Sequence, residues 1–227
     1  MDQATGGPDV AIIGNNEAKN ASSSLLKEMK RTKGSRFNAS MRLEERARKR
    51  TRNTAYASAS VVCLTLIPAF FDVFEPIEKA ISLVTIALSI FILASSLLQT
   101  ADADPVKADQ FQRCALEINS LRREFRSTQN FSLKNTQEYS TRFDGILQRY
   151  NINHEEVDYE KYRLDHPDEF ENFPQAETEK AREDVKSTHD IFDRYASLII
   201  VPTGLLIVLA ALKPSIQIID KIIAYFN

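Results

Sequence analysis

The sequence predicts an all-α membrane protein: a transmembrane helical hairpin, a cytoplasmic helical segment and a third candidate transmembrane helix. Three observations carry this expectation. Residues 54–71, 80–98 and 196–212 contain no charged residue, although Lys, Arg, Asp and Glu make up 26% of the 227-residue chain. Elsewhere apolar residues recur every three or four positions, the period of a helix face, and no alternating strand pattern occurs. Glycine is scarce, six residues with three of them before residue 15, so few positions are free to make turns with φ > 0. The hydrophobic fraction of 43% looks like that of a soluble protein only because it averages apolar runs with a highly charged remainder.

A helix crosses a bilayer's hydrocarbon with about 20 residues, range roughly 17–25. Residues 80–98 (AISLVTIALSIFILASSLL) meet this directly. Residues 54–71 are diluted by Tyr56, Ser58, Ser60, Thr65 and Pro68. Residues 196–212 are short and contain Pro202 and Gly204, which membrane helices tolerate better than soluble ones. The stretch DVFEPIEK, residues 72–79, allows only a tight turn, so the first two spans form an antiparallel hairpin with both flanks on one side. Arg42, Arg46, Arg48, Lys49, Arg50 and Arg52 immediately precede the first span, whereas the turn offers only Lys79. Basic residues stay inside, so the chain is expected to be a multi-pass protein of the plasma (inner) membrane with its N-terminus cytoplasmic. Residues 99–195 are then cytoplasmic and 196–212 lead the chain outward. Ile216, Ile219, Ile222, Ile223 and Phe226 share one face of the tail 213–227, which is expected to lie as an amphipathic helix at the outer interface.

The polar segments follow in order. Residues 1–37 begin Gly-, Asn- and Ser-rich without an apolar period and are expected to be disordered. A helix capped by Asn38 or Ser40 should then run into the first span. The basic run 42–52 reads as a juxtamembrane collar drawn to anionic headgroups. By charge, residues 1–53 carry +6 and residues 99–195 carry −7. Asp104-Pro105 opens a helix with the stripe Phe111, Cys114, Ile118, Leu121 and Phe125. Tyr139, Phe143, Ile146 and Tyr150 repeat it after a break at residues 130–132. Asn153 is expected to cap a short acidic piece stopped by Pro167 and Pro174. Its residues 155–171 hold eight acids against two bases and read as a solvated face. A last helix begins near Gln175 with the stripe Ala181, Val185, Thr188, Phe192 and Tyr195. Such stripes cannot bury themselves singly, so they pack on one another or on a sister chain.

The chemistry is mostly an absence. No P-loop, dinucleotide fingerprint, zinc-protease or serine-hydrolase motif occurs. His154, His166 and His189 lack the spacing of metal ligands on one helix face, and Cys63 and Cys114 suggest neither staple nor metal site. No catalytic, cofactor-binding or metal-binding residue is therefore expected, and no cofactor. A net charge of −2 excludes nucleic acid as the main partner, since phosphate binding needs a basic surplus. The absence of ionisable residues within the spans removes proton-coupled transport. What the spans do carry is hydroxyls: Ser82, Thr85, Ser89 and Ser96 form a stripe on the second, and Ser58 and Thr65 a shorter one on the first. Such stripes serve close helix packing or wall a water-filled pore. A lone hairpin has no lumen, so a pore needs several chains.

One order of parts brings these features together. The basic helix MRLEERARKRTRNTAYASAS enters a first span, followed by the acidic turn, the second span, the helix FQRCALEINSLRREF, the segment QEYSTRFDGILQRYNINHEEVDYEKYRLDHPDEF and a closing apolar helix. This resembles the SLATT domain, the SMODS and SLOG-associating two-transmembrane effector, over residues 38–212. The resemblance implies a membrane effector of prokaryotic conflict and antiphage systems. Such an effector is coupled to a separate nucleotide-signalling or sensor protein and oligomerises into a pore. It implies no catalytic residue, and the third span departs from the two in the family's name. The alternative is a membrane-anchored scaffold whose cytoplasmic helices bind a partner. The partners expected are thus the lipid bilayer, sister copies of the chain and the sensor protein, without nucleic acid.

Overall fold

The computed structural model describes residues 8–70, 72–128, 132–170 and 174–187. Every element among them is helical: α1 (Pro8–Phe70), α2 (Glu75–Asp102), α3 (Asp104–Ser127), α4 (Leu133–Tyr150), α5 (Glu156–Asp165), a 3-10 turn (Pro167–Glu169) and α6 (Gln175–Ser187). They form two compact units. A helical unit holds residues 8–44 and 105–187, and a hairpin unit holds residues 45–104.

The helical unit corrects the expectation for the N-terminus. Residues 8–37 are not disordered but belong to α1. Ala18, Ser22, Leu25 and Met29 recur at intervals of 4, 3 and 4 and are all buried. Leu25 and Met29 join Cys114, Ile118, Leu121 and Phe125 of α3 and Phe143 and Ile146 of α4 in one core. Half of the buried α1 positions are Ala or Ser, which is why the period is weak in sequence. Tertiary packing, rather than local apolarity, stabilises this stretch as helix. Each large side chain buried in such a core contributes about 1.5–3 kcal/mol.

The stripe expected on α3 is buried at all five positions. On α4, Phe143 and Ile146 are buried and Tyr139 and Tyr150 pack on the same core, Tyr139 stacking on Phe125 with centroids 4.5 Å apart. Helix α4 starts at Ser132, whose Oγ accepts from the Asn135 N–H at 3.1 Å. It ends at Asn151, φ 45°, whose N–H donates to the Leu147 carbonyl. The cap of α5 is Glu155, not Asn153. Glu155 and Asp158 form a reciprocal capping box, the Glu155 N–H donating to the Asp158 carboxylate at 3.1 Å. Nor do Asn38 and Ser40 cap a helix, because α1 runs straight through them. The Asn38 amide donates to the Asp158 carbonyl at 3.1 Å, and the Ser40 hydroxyl to the Ala108 carbonyl at 2.9 Å. Helix α6 lies against α5 with Ala181 buried and Val185 half-buried. Thr188, Phe192 and Tyr195 fall outside the described residues.

In the hairpin unit, α1 ends at Phe70 and α2 starts at Glu75, so the turn is tighter than residues 72–79. Pro76 sits in the first turn of α2, where a missing N–H costs nothing. The Ile77 and Glu78 N–H groups donate to the Phe74 carbonyl at 2.8 and 3.1 Å. Ala57 and Leu64 of α1 pack with Ile81, Leu88 and Phe91 of α2 to make the seam. The opposite faces are apolar and uncovered: Phe70 is 75% exposed and Leu83 70%, with Ile90, Leu93 and Leu97 similar. Both helices are long and apolar enough to cross a membrane. The third candidate span, 196–212, and the tail, 213–227, fall outside the described residues.

Candidate functional site

Arg42, Arg46 and Arg50 stand four residues apart, about one helical turn each, and so share a face of α1. In the helical unit, Arg42 grips Asp158 with both ends of its fork, Nε to Oδ1 at 2.8 Å and Nη2 to Oδ2 at 2.9 Å. Glu155 adds a third oxygen at 3.0 Å. The Asp158 side chain is only 2% exposed. Burial works against the Arg42 charge, but the hydrogen bonds and charges of Asp158 and Glu155 outweigh it and raise the guanidinium pKa above its ordinary value. In the hairpin unit, Arg46 makes the same bidentate grip on Asp104 at 2.7 and 2.5 Å. Arg50 is buried, pairs with Asp102 and lies 3.5 Å from Asp104. Planar fork-to-carboxylate pairs of this kind need Arg and would not form with Lys.

The basic run is therefore not a uniform collar. Arg42, Arg46 and Arg50 are ion-paired inside the protein, Lys49 pairs with Glu45 one turn earlier at 2.8 Å, and Arg48 and Arg52 are exposed. The solvated-face reading of residues 155–171 fails at the same place. Asp158 is buried, and Glu169 takes both the Lys30 ammonium and the Tyr162 hydroxyl. Asp102, Asp104 and Asp158 went unread as partners. The i, i+4, i+8 spacing of the three arginines was the signal that one face of α1 demands acids.

The hydroxyl stripe lies beside the seam rather than in it. Ser82, Ser89 and Ser96 are exposed and Thr85 is half-buried, as is Ser58 on α1, whereas Thr65 is exposed. Helical geometry, roughly 100° per residue, places the Ser82–Ser96 line about 100° round α2 from Ile81, Leu88 and Ser95. Four of the hydroxyls bond to their own helix: Thr85 to the Ile81 carbonyl, Ser89 to Thr85, Ser58 to Thr54 and Thr65 to Val62, each at 2.8–2.9 Å. The polar contact inside the seam is made by other residues. Thr54 Oγ1 lies 2.9 Å from the Oγ of buried Ser95, and the Gln99 amide reaches Thr54 at 3.4 Å. No cluster of three His, Cys, Asp or Glu suited to a metal occurs among the described residues.

A family model, SMODS and SLOG-associating 2TM effector domain family 5, matches residues 18–209. The chain belongs to this family. The SLATT match begins at Ala18, a buried position of α1, so it starts twenty residues before Asn38 and includes N-terminal residues of this helix. Among the described residues, α1 and α2 are the helices long and apolar enough to be the transmembrane pair of the family name. No curated protein and no solved structure matches the chain.

Proposed function

We propose that this SLATT chain is a membrane effector whose α1–α2 hairpins assemble into a pore. One observation carries the reading: the hairpin satisfies its own seam without Ser82, Thr85, Ser89 and Ser96, and leaves the three serines exposed with Thr85 half-buried at their edge. In a lone hairpin these hydroxyls would face lipid. In a ring of copies they meet water in a lumen, where hydroxyls keep the wall wet. The flanking Leu83, Ile90 and Leu97 surface supplies the lipid face. The cytoplasmic side holds the N-terminus and the helical unit, since Arg48 and Arg52 stand exposed before the first span for the positive-inside bias, whereas the turn offers only Lys79, paired with Glu75. A separate sensor protein of a conflict system, of nucleotide-signalling type, delivers the trigger. The effector's action involves no catalytic step.

The test replaces Thr85 and Ser89 with Leu, which membrane helices accept readily. Triggered or overproduced wild-type protein should depolarise cells, read by a potential-sensitive dye. The double-Leu variant should insert and cross-link to the same oligomer without depolarising. Smaller oligomers in the variant would make the stripe a packing face. Wild-type protein that never depolarises the membrane would leave the hairpin as the anchor of a scaffold.

A further inference from the structure

Two different chemistries hold α1 in the helical unit. Against α3 and α4 its contact is apolar, Leu25 and Met29 sharing one core with Ile118, Phe125 and Phe143. Against α5 and the 3-10 turn the contact is polar and aromatic. Arg42 forks onto Asp158, the Asn38 amide donates to the Asp158 carbonyl, and the Lys30 ammonium pairs with Glu169. Arg31 lies over the Phe170 ring at 4.7 Å, and the Tyr162 ring rests against Gly34, closer than a Cβ there would allow. Among the described residues, none of the hydrophobic clusters takes a side chain from residues 156–170.

These contacts differ in what opening them costs. Separating an apolar core brings hydrocarbon into water with nothing in return. Separating an ion pair returns both ions to water, and their hydration offsets much of the attraction lost. The contact of residues 155–170 with α1 is therefore the weaker of the two, and local opening follows the weaker contact. The segment also has a joint, since residues 151–155, which link it to α4, belong to no helix. Its grip on Arg42 lies one turn before Arg46, where α1 passes as one unbroken helix into the hairpin unit.

We propose that residues 155–170 are a strap that lifts off α1 as one piece while the α1–α3–α4 core stays closed, and that the seated strap restrains the effector. Lifting frees Lys30, Arg31 and Arg42 together, so a single helix face is either clamped or released. An element with two discrete arrangements of this kind is what a trigger can bias. The restraint rests on the pore reading, whereas the lifting does not.

The experiment follows amide exchange in the full chain, held in phosphatidylcholine nanodiscs, and membrane potential in cells. In the wild type, α5 and the 3-10 turn should exchange together, ahead of the buried stretches of α3 and α4. Glu169→Lys sets two cations against each other at Lys30. It should speed α5 exchange about three- to ten-fold, as for a partly exposed pair with repulsion added, and leave α3 unchanged. The same variant should depolarise cells at lower expression than the wild type. The swap Lys30→Glu, Glu169→Lys should restore both behaviours, which a merely damaged fold would not. Glu124→Lys, reversing the exposed partner of Arg142, should alter neither α5 exchange nor the expression threshold. Exchange of α5 in step with α3 overturns the strap. Faster exchange in Glu169→Lys at an unchanged threshold overturns the restraint. Absence of depolarisation by every protein would instead fail the pore reading, with the exchange rates still deciding the strap.

Discussion

Helix α1 carries paired arginines in both units, yet the carboxylates that receive them are arranged differently. In the helical unit Arg42 depends on one buried acid, Asp158, with only the exposed Glu155 in reserve. In the hairpin unit Arg50 has two, Asp102 and Asp104. The surroundings differ as well. In the helical unit α1 buries Leu25 and Met29 in a core shared with α3 and α4. In the hairpin unit it buries Ala57 and Leu64 against α2 and leaves Val62, Leu66 and Phe70 exposed. The helical unit thus has a packed core in which the Arg42 charge is matched by a single buried acid. In the hairpin unit the buried charges, Arg50 and Asp104, lie together beside Asp102, and the apolar faces beyond the seam are exposed.

The largest effect should come from breaking that contrast at its buried acid. Asp158→Ala leaves a guanidinium facing an exposed partner and removes half of the α5 capping box, so unfolding in detergent should lose about 3–5 kcal/mol, as when one partner of a buried pair is removed. Asp102→Ala leaves Arg50 with Asp104 and should cost about 1 kcal/mol or less, as for a partly exposed pair. Equal losses would show that the two units do not differ in redundancy. The double variant Arg42→Met, Asp158→Leu sharpens the comparison, since it should recover most of the first loss.

Next in size is Gly34→Ala. The new methyl would collide with the Tyr162 ring at 2.2–2.3 Å, and overpacking of this kind costs about 1–3 kcal/mol, against a gain of about 1 kcal/mol in helix propensity. Amide exchange should quicken in α5 and stay unchanged in α2. A more stable Gly34→Ala protein would refute the close contact.

Ala103, φ 50°, joins α2 to α3 in the left-handed region that costs a non-glycine residue about 1–2 kcal/mol. Ala103→Gly should raise stability by about 0.5–1 kcal/mol after the extra chain entropy of glycine is subtracted, seen as a higher unfolding midpoint. A lower midpoint would mean the link is not strained.

The smallest effect is a slope. Burial, then the Arg36 charge, lowers the His154 pKa from 6.5 against the opposing pull of Asp158. The unfolded chain therefore takes up this proton at higher pH than the folded one. Stability is full above pH 6.5 and falls as pH drops below it, until the folded imidazole also titrates. His154→Gln should flatten the melting temperature between neutral and mildly acidic pH. An unchanged slope would place the acid sensitivity elsewhere, though not at Glu169, whose loss comes at lower pH. There burial raises the carboxyl pKa, but Lys30 outweighs it and holds the group below its ordinary value, so its contribution is lost as pH falls through that depressed pKa.

How much of this was legible in the sequence depended on whether a residue's role is set along its own helix. The charge-free runs 54–71 and 80–98 sufficed for the hairpin, because spanning hydrocarbon is a requirement on one helix at a time. The α3 stripe from Phe111 to Phe125 was readable for the same reason, as each apolar position is on a single periodic face. The N-terminal part of α1 was not, since Ala18 and Ser22 are buried by α1's neighbours rather than by their own hydrophobicity. The destinations of Arg42, Arg46 and Arg50 were equally hidden, their acids lying 116, 58 and 52 residues away along the chain. Within α2, composition could not separate Ser95, buried in the seam, from Ser96, exposed on the stripe. The same side chain one residue on is turned by roughly 100°, and only the position of the second helix decides which of the two is buried.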